Sequence, residues 1–372
     1  MPACPSTNSL ESILTSSITV WFAGATVRDK QRLQRIVRSA EEVIGRSLPS
    51  LQDLCSKSSA NSRRPPCAMA PLLLFLTAAL SVLNHVHTSA AFRICAFNAH
   101  HFGDSKSKDG QVMKRLVQII SRCDVCLLQE IRDSKQKALP ALLAQLNRGR
   151  GAEYDFVASE RLGRSDSYQE QYAFFYKTSS ASVTGKYQFS DDRPGDQDAF
   201  AREPFVVRFS APKTEIKEFV LIPQHTAPTN ATKELDALYD VLQDVKRMWR
   251  TKNVMLLGDF NADCGYVAKK NRKKIRLMTD PDLTWLIPEG SDTTVRESTS
   301  CAYDRIVVNG RAFLDAVVPS SAKPFNFQQE FRLSEEEALD VSDHYPVEVL
   351  LKAGVSSLSC PLLLVLLCLL FN

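Results

Sequence analysis

At 372 residues with a formal net charge of +4, the chain has room for two domains or for one large α/β unit with tails. Its apolar (44%) and charged (24%) fractions are those of a globular protein and exclude a disordered or fibrous one. The mild charge permits a polyanionic partner without requiring one, and the ten cysteines show no repeated C-x-x-C at zinc spacing.

Residues 1–68 hold a basic amphipathic pattern over 28–40, which reads as a helix in isolation. The stretch 16–57, with Leu48-Pro49-Ser50-Leu51-Gln52-Asp53, resembles the end of a retrotransposon reverse-transcriptase polyprotein. The expectation is a spurious or non-native leader. Residues 69–90 follow Arg63 and Arg64, run apolar through Leu83 and end in Thr88-Ser89-Ala90, the pattern of a signal peptide. Residues 353–372 place small residues before a terminal apolar run, the pattern of a lipid (GPI) attachment signal, with a tail-anchoring helix as the alternative. A chain so addressed enters the secretory pathway through the endoplasmic reticulum, ends at the cell surface or outside, and can hold disulfides. Asn230-Ala231-Thr232 is a glycosylation sequon meaningful in that setting.

Between the ends lies one domain, residues 91–352, long enough for a substantial core. Short apolar runs rich in β-branched and aromatic residues predict strands at 92–97, 125–128, 172–176, 205–209, 219–222, 254–257, 305–308 and 347–351. Helical periodicity marks 111–121, 138–146 and 233–249, the last with a stripe of Leu235, Leu238, Leu242 and Val245. Two sheets packed together with helices outside fit this order. Cys123 and Cys126 sit in apolar sequence and read as buried strand cysteines.

Several of these strands end in residues that carry chemistry. The run Val254-Met255-Leu256-Leu257-Gly258-Asp259-Phe260-Asn261 stops at an acid and an amide that alternate around Phe260 and face the same way. Glu130 ends Leu127-Leu128-Gln129-Glu130, Asn98 ends the first strand, and Asp304 opens the strand at 305. His225 ends another strand, and Asp343-His344 lies in Ser342-Asp343-His344-Tyr345-Pro346. Each alone reads as a turn, a cap or a satisfied core histidine. Together they suit metal-assisted phosphodiester hydrolysis: carboxylates and amides for a hard divalent cation, and histidines to take and give protons.

The set Leu128-Gln129-Glu130, Gly258-Asp259-Phe260-Asn261-Ala262-Asp263 and Ser342-Asp343-His344-Tyr345-Pro346 resembles the endonuclease/exonuclease/phosphatase superfamily. Across residues 92–352 the chain is similar to the deoxyribonuclease I family. Residues 92–99, 202–206 and 337–339 look closest to its deoxyribonuclease I-like 1 branch. The resemblance implies an α/β four-layered sandwich, two mainly antiparallel sheets face to face and flanked by helices. It implies a monomeric endonuclease using Mg2+ (or Mn2+) and Ca2+, cutting double-stranded DNA to 5′-phosphate and 3′-hydroxyl ends. By motif, Glu170 pairs with His225 and Asp304 with His344 as general acid and base, His225 being the expected acid. Asn98, Glu130, Asp259, Asn261 and Asp343 would hold metal and phosphate. Arg132 and Tyr168 would enter the minor groove, and Arg202 and Asn261 would contact the phosphate backbone. Cys264–Cys301 would be a structural disulfide closing a loop with the basic run at 269–274. Asp198 with Glu203, and Asp292 with Thr294, would be structural calcium sites.

The chain also departs from the family pattern. No cysteine stands in residues 191–196, where the founding member has a small second disulfide. His100 stands in place of a basic arginine beside the metal site. Ala158 and Phe205 occupy the positions that grip actin in the founding member, so actin inhibition is not expected. A phosphatase of the same superfamily acting on phosphoinositide-type substrates is the alternative reading; Arg132, Tyr168 and Glu170 in their contexts argue for the nuclease.

Overall fold

A computed structural model describes residues 91–148, 153–191 and 198–354. The expected leader, the expected signal peptide, the expected attachment signal beyond Gly354 and most of the cysteine-free loop at 191–196 lie outside the described residues.

The strands in chain order are β1 (Phe92–Gly103), β2 (Val125–Arg132), β3 (Tyr154–Ala158), β4 (Leu162–Ser165), β5 (Tyr168–Lys177), β6 (Ser182–Gln188), β7 (Phe205–Ser210), β8 (Glu218–Pro223), β9 (Val254–Asp259), β10 (Leu283–Trp285), β11 (Asp304–Asn309), β12 (Lys323–Pro324) and β13 (Val347–Leu351). One sheet runs β12-β13-β1-β2-β5-β3, with β4 also on β5; the other runs β10-β11-β9-β8-β7-β6. Most pairings are antiparallel, but β1–β2 and β8–β9 are parallel. Each parallel pair is joined through a helix, as a parallel connection demands: α1 (Gly110–Ile120) links β1 to β2, and α3 (Ala231–Met248) links β8 to β9. The remaining longer helices are α2 (Ala138–Leu146) and α4 (Glu335–Val341).

Apolar residues form three layers of core. Between the sheets lie Ile94, Leu127, Phe174, Phe209, Phe219, Leu221, Leu257 and Ile306, with residues of both sheets in one cluster. A second cluster packs Phe97, Leu128 and Phe175 against Met113 and Leu116 of α1 and Leu142 of α2. A third packs Ile222 and Leu256 against the predicted stripe of α3, Leu235, Leu238, Leu242 and Val245. The order is therefore helix, sheet, sheet, helix. Central strands are buried on both faces, which is why β9 reads as a continuous apolar run rather than an alternating one.

Local sequence sets the helix starts. The Asp109 carboxylate accepts from the backbone N–H groups of Gln111 and Val112 and caps α1, while Ser334 and Glu337 form a capping box on α4.

Two expectations are corrected. Cys123 is not a free strand cysteine: it lies in the turn before β2 and is bonded to Cys95, with Cα atoms 6.1 Å apart. The parallel register puts Cys95 opposite Cys126, three residues from Cys123, and only Cys126 remains a buried thiol among the described residues. Phe205, in the strand predicted at 205–209, lies in the inter-sheet core. Arg202 is buried rather than open to a phosphate backbone, as its contacts below show. Cys264 and Cys301 are bonded as expected, Cα atoms 5.9 Å apart.

Candidate active site

The register shift of β1, the ends of β2, β8 and β9, the starts of β5 and β11, and the turn after α4 deliver their polar side chains to one place. They do so through bent backbone. Pairing of β1 with β2 shifts register between Asn98 and Phe102, and pairing of β2 with β5 shifts between Leu128 and Ile131. His100 (φ 43°), His101 (57°), Glu130 (55°) and Asn261 (45°) all adopt left-handed backbone. Side-chain-bearing residues rarely do so, and such strain concentrates at functional sites.

Two histidine–carboxylate pairs form the centre. His225 Nδ1 is 2.9 Å from Glu170 Oε2, and His344 Nδ1 is 2.7 Å from Asp304 Oδ2. With Nδ1 engaged, the free atom of each ring is Nε2. Both Nε2 atoms converge on one oxygen, Asp259 Oδ2, at 3.5 Å from His225 and 3.7 Å from His344. Each pair draws one member from each sheet layer. Glu170 belongs to β5 and His344 to the approach to β13, whereas His225 follows β8 and Asp304 opens β11.

The electrostatics follow from this burial and pairing. Burial pushes the Glu170 carboxyl up, but the hydrogen bond and charge of His225, with Arg202, outweigh it and hold it at about 2. Burial and Arg202 push His225 down, and Glu170 with Asp259 more than reverse this, leaving it raised. Burial likewise opposes the His344 imidazolium, but Asp304 and Asp259 hold its proton well above the ordinary range. Each ring is thus supported as a cation, the state a proton-transferring histidine must pass through.

Around the pairs stand the oxygen donors. The Asn98 amide donates to Glu130 Oε1 (2.9 Å) and Asp259 Oδ2 (3.2 Å). The Asn261 backbone N–H donates to Asp259 Oδ1 at 3.0 Å, and its amide donates to the Thr226 carbonyl at 3.1 Å. Glu130 with Glu170 and His225, and Asp259 with Asp304 and His344, each bring ligand atoms within 4.8 Å of one another. Asp343 lies 3.8 Å from His100 across the opening. Carboxylate and amide oxygens in this number fit a hard divalent cation.

Sequence reasoning missed the layer that holds these groups. Gln129, fully buried on β2, donates to the Gln224 carbonyl at 2.8 Å and accepts from the Asp259 N–H at 2.9 Å. It therefore joins one sheet to two strands of the other. Gly258 makes this approach possible: with φ +128°, an added Cβ would lie 2.5 Å from the Gln224 carbonyl oxygen and 2.6 Å from Gln129 Nε2. The Tyr172 hydroxyl accepts from the His225 N–H at 2.9 Å, and Gln224 donates to Glu234 at 3.1 Å. The Thr293 hydroxyl accepts from the Asp304 N–H at 3.2 Å, and Ser342 donates to the Asn98 carbonyl at 2.7 Å. A glutamine or serine inside an apolar segment was the only signal in the sequence.

The outer predicted residues divide. Arg132 stacks 4.2 Å over the ring of Tyr168, which is 39% exposed and sits at the rim beside His101. Arg202 instead lies behind the site, donating from Nε to the His225 carbonyl at 3.0 Å and resting 3.5 Å from Glu170. The Thr294 N–H and hydroxyl are both close to Asp292 Oδ1, at 3.0 and 2.6 Å. Burial raises the Glu203 carboxyl, with the charges of Asp191 and Asp198 adding to it. Asn230 is half-buried at the start of α3. Asp263, next to the motif, turns away to Arg272 (3.0 Å) and the Ala302 N–H (3.0 Å).

Residues 95–344 match the Endonuclease/Exonuclease/phosphatase family. The chain is 50% identical over 288 residues to deoxyribonuclease gamma of Homo sapiens, spanning 77% of this chain and 92% of that one. It is 47% identical over 274 residues to deoxyribonuclease-1 of Rattus norvegicus, spanning 73% and 96%. The human Nocturnin catalytic domain with bound sulfate anion shares the fold at a TM-score of 0.51 and 16% identity, over 71% of this chain and 95% of that one.

Proposed function

The chain belongs to the Endonuclease/Exonuclease/phosphatase family and, within it, to the deoxyribonucleases, and we propose that it is a divalent-cation-dependent endonuclease hydrolysing DNA phosphodiester bonds. The observation that carries the mechanism is the convergence of two carboxylate-backed imidazoles, through Nε2, on one carboxylate oxygen. One imidazole accepts a proton from the attacking water and the other donates one to the leaving 3′ oxygen, giving 5′-phosphate and 3′-hydroxyl ends. His225 is the acid in this reading, and His344 with Asp304 the base. A bound cation, Mg2+ or Mn2+, would neutralise charge on the phosphate oxygens. Asn98, Glu130, Asp259, Asn261 and Asp343 would hold it and the phosphate.

Arg132 and Tyr168 stand at the rim, where a duplex would press its minor groove, and such contacts give affinity with little base specificity. Arg202 acts through Glu170 and His225 rather than on DNA. Ca2+ at Asp198 with Glu203, and at Asp292 with Thr294, would have a structural role. Export and cell-surface attachment remain part of this proposal, and two disulfides suit an oxidising compartment.

Plasmid nicking with Mg2+ and Ca2+, beside release of phosphate from an inositol phosphate, tests the assignment. Nicking is expected, and His225→Ala is expected to lower it by about 10²–10⁴-fold. Headgroup hydrolysis without nicking, or unchanged nicking by the variant, would overturn it.

A further inference from the structure

Strand alternation gives the second sheet a back as well as a front. Asp259 and Asn261 face the reaction centre, whereas Phe260 and Ala262 join the cluster under α3 on the opposite face. Asp304 likewise serves His344, and Arg305, the next residue of β11, turns the other way. Behind the motif lies a cavity of about 380 Å3, within the range of small-ligand sites. Three cations line it, Arg272, Lys273 and Arg305, against one acid, Glu289, while Trp285 and Met278 supply apolar wall. Arg305 is the unusual member. It is 4% exposed, burial opposes its charge, and no carboxylate among the described residues forms an ion pair with it. Its Nη1 and Nη2 donate to the carbonyls of Ala302 (3.4 Å) and Ile287 (3.1 Å), its guanidinium lies 4.9 Å over the Trp285 ring, and its Nε has no hydrogen-bond partner. The Nε of Arg272 is buried without a partner as well. Asp263, the acid whose charge Arg305 feels most, is engaged by Arg272 (3.0 Å) and the Ala302 N–H (3.0 Å). A buried guanidinium without a counter-ion is destabilising, and an anion in the cavity would supply one.

We propose that this cavity binds a nucleoside 5′-monophosphate, its phosphate drawn to Arg305, Arg272 and Lys273 and its base to Trp285 and Met278. Arginine presents a planar fork of donors that matches phosphate oxygens. An indole and a thioether make a wall on which any base can lie. Binding itself does not depend on the nuclease reading, although the reaction proposed above releases strand ends of the same chemistry. The cavity is tied to the reaction centre. Asp263 links Arg272 to the Ala302 N–H, two residues before Asp304. Glu289 holds the other end of the Arg272 guanidinium at 2.6 Å and is exposed. A phosphate taken up by Arg272 competes with both carboxylates, so occupation loosens the loop that follows Asn261.

Calorimetry on the full-length protein without DNA tests this, with dAMP, deoxyadenosine and inorganic phosphate as probes. dAMP is expected to bind at least about 10-fold more tightly than either fragment; a fragment that matches it overturns the proposal. Arg305→Met is expected to weaken dAMP by about 10-fold or more while the melting temperature holds or rises, because an apolar side chain replaces a buried unpaired charge. A variant that melts lower and binds dAMP as before would make Arg305 a structural group and overturn the proposal. Lys273→Ala decides the case in which Arg305→Met fails to fold: Lys273 is exposed, and unchanged dAMP affinity in this variant also overturns the proposal. dAMP held at the reaction centre instead would bind both variants as tightly as it binds the unaltered protein. A 5′-phosphorylated oligonucleotide that matches dAMP assigns the cavity to cut strand ends, and one that binds more weakly assigns it to the free nucleotide. Plasmid nicking is measured apart from binding, so failure of the nuclease reading and failure of the nucleotide site are told apart.

Discussion

Asp304→Asn separates catalysis from stability at one atom. Asp304 is fully buried, with Oδ2 2.7 Å from His344 Nδ1 and Oδ1 without a hydrogen-bond partner. The carboxylate fixes the ring and stabilises its cation but is itself an expensive buried charge. The amide keeps the shape and removes the charge. Losing the charge behind a catalytic imidazole costs about 10³–10⁴ in rate, or about 4–5.5 kcal/mol of transition-state stabilisation. His344 then retains burial without its counter-ion, so its proton is held less tightly and the acidic limb of the pH–rate profile moves to lower pH. Thermal stability should stay level or rise, because an unpartnered buried oxygen becomes part of a neutral group. Nicking rates across pH, with a melting curve by circular dichroism, read all three effects. Nicking within tenfold of the unaltered protein would refute the orienting role. A collapse of the melting temperature would show that Asp304 acts as a structural group instead.

Gly258→Ala should cost about 3 kcal/mol and lower the melting temperature by about 10 °C, since the Cβ meets backbone at a positive φ; a shift of less than about 2 °C would contradict this. Arg132→Ala should raise KM for DNA by the equivalent of about 1–2 kcal/mol and flatten its salt dependence while leaving kcat nearly intact; a pure kcat loss would move Arg132 into the chemistry. In EDTA, Glu170 stabilises the fold while ionised. Its folded pKa of about 2 lies below the ordinary 4.5, so that contribution is present above about pH 4.5 and lost as pH falls towards 2. In urea melts the unaltered protein should lose up to about 3 kcal/mol more over that window than Glu170→Gln; parallel pH curves would exclude Glu170 as the source of a difference.

Strands buried on both faces announced themselves as apolar runs, and α1 and α3 as stripes, so the layers were legible. Edge strands were not. Ser182–Gln188 has one neighbour, is largely open to solvent and contains Gly185, and it offers no apolar pattern to detect. Leu162–Ser165 and Lys323–Pro324 are too short to show a period. At the site, Asn98, Glu130, Asp259 and Asp304 were visible because acids and amides ending apolar runs are conspicuous. Glu170 was found through motif resemblance, since nothing in Tyr168-Gln169-Glu170 marks it. The Cys95–Cys123 bond depends on the parallel crossover through α1, and pairing across a helix is not encoded in local spacing. The phosphate contact of Arg202 came from the resemblance alone; its burial is set by Glu170 and the His225 carbonyl, far away in sequence.

Gln129 gives the architecture a mechanical reading. The reaction centre is a seam between two slabs, each supplying half of each proton-transfer pair. The Gln129 amide is a rivet across that seam, and Gly258 is the hole that admits it. The spacing between water, phosphate and leaving oxygen is therefore a tolerance on sheet separation, set as much by the ring volumes of Phe174, Phe209 and Phe219 as by any polar group. Repacking that distant interior by a methylene or two would shift the two half-sites past each other while the rivet still holds, and turnover would register the slip before the melting temperature does.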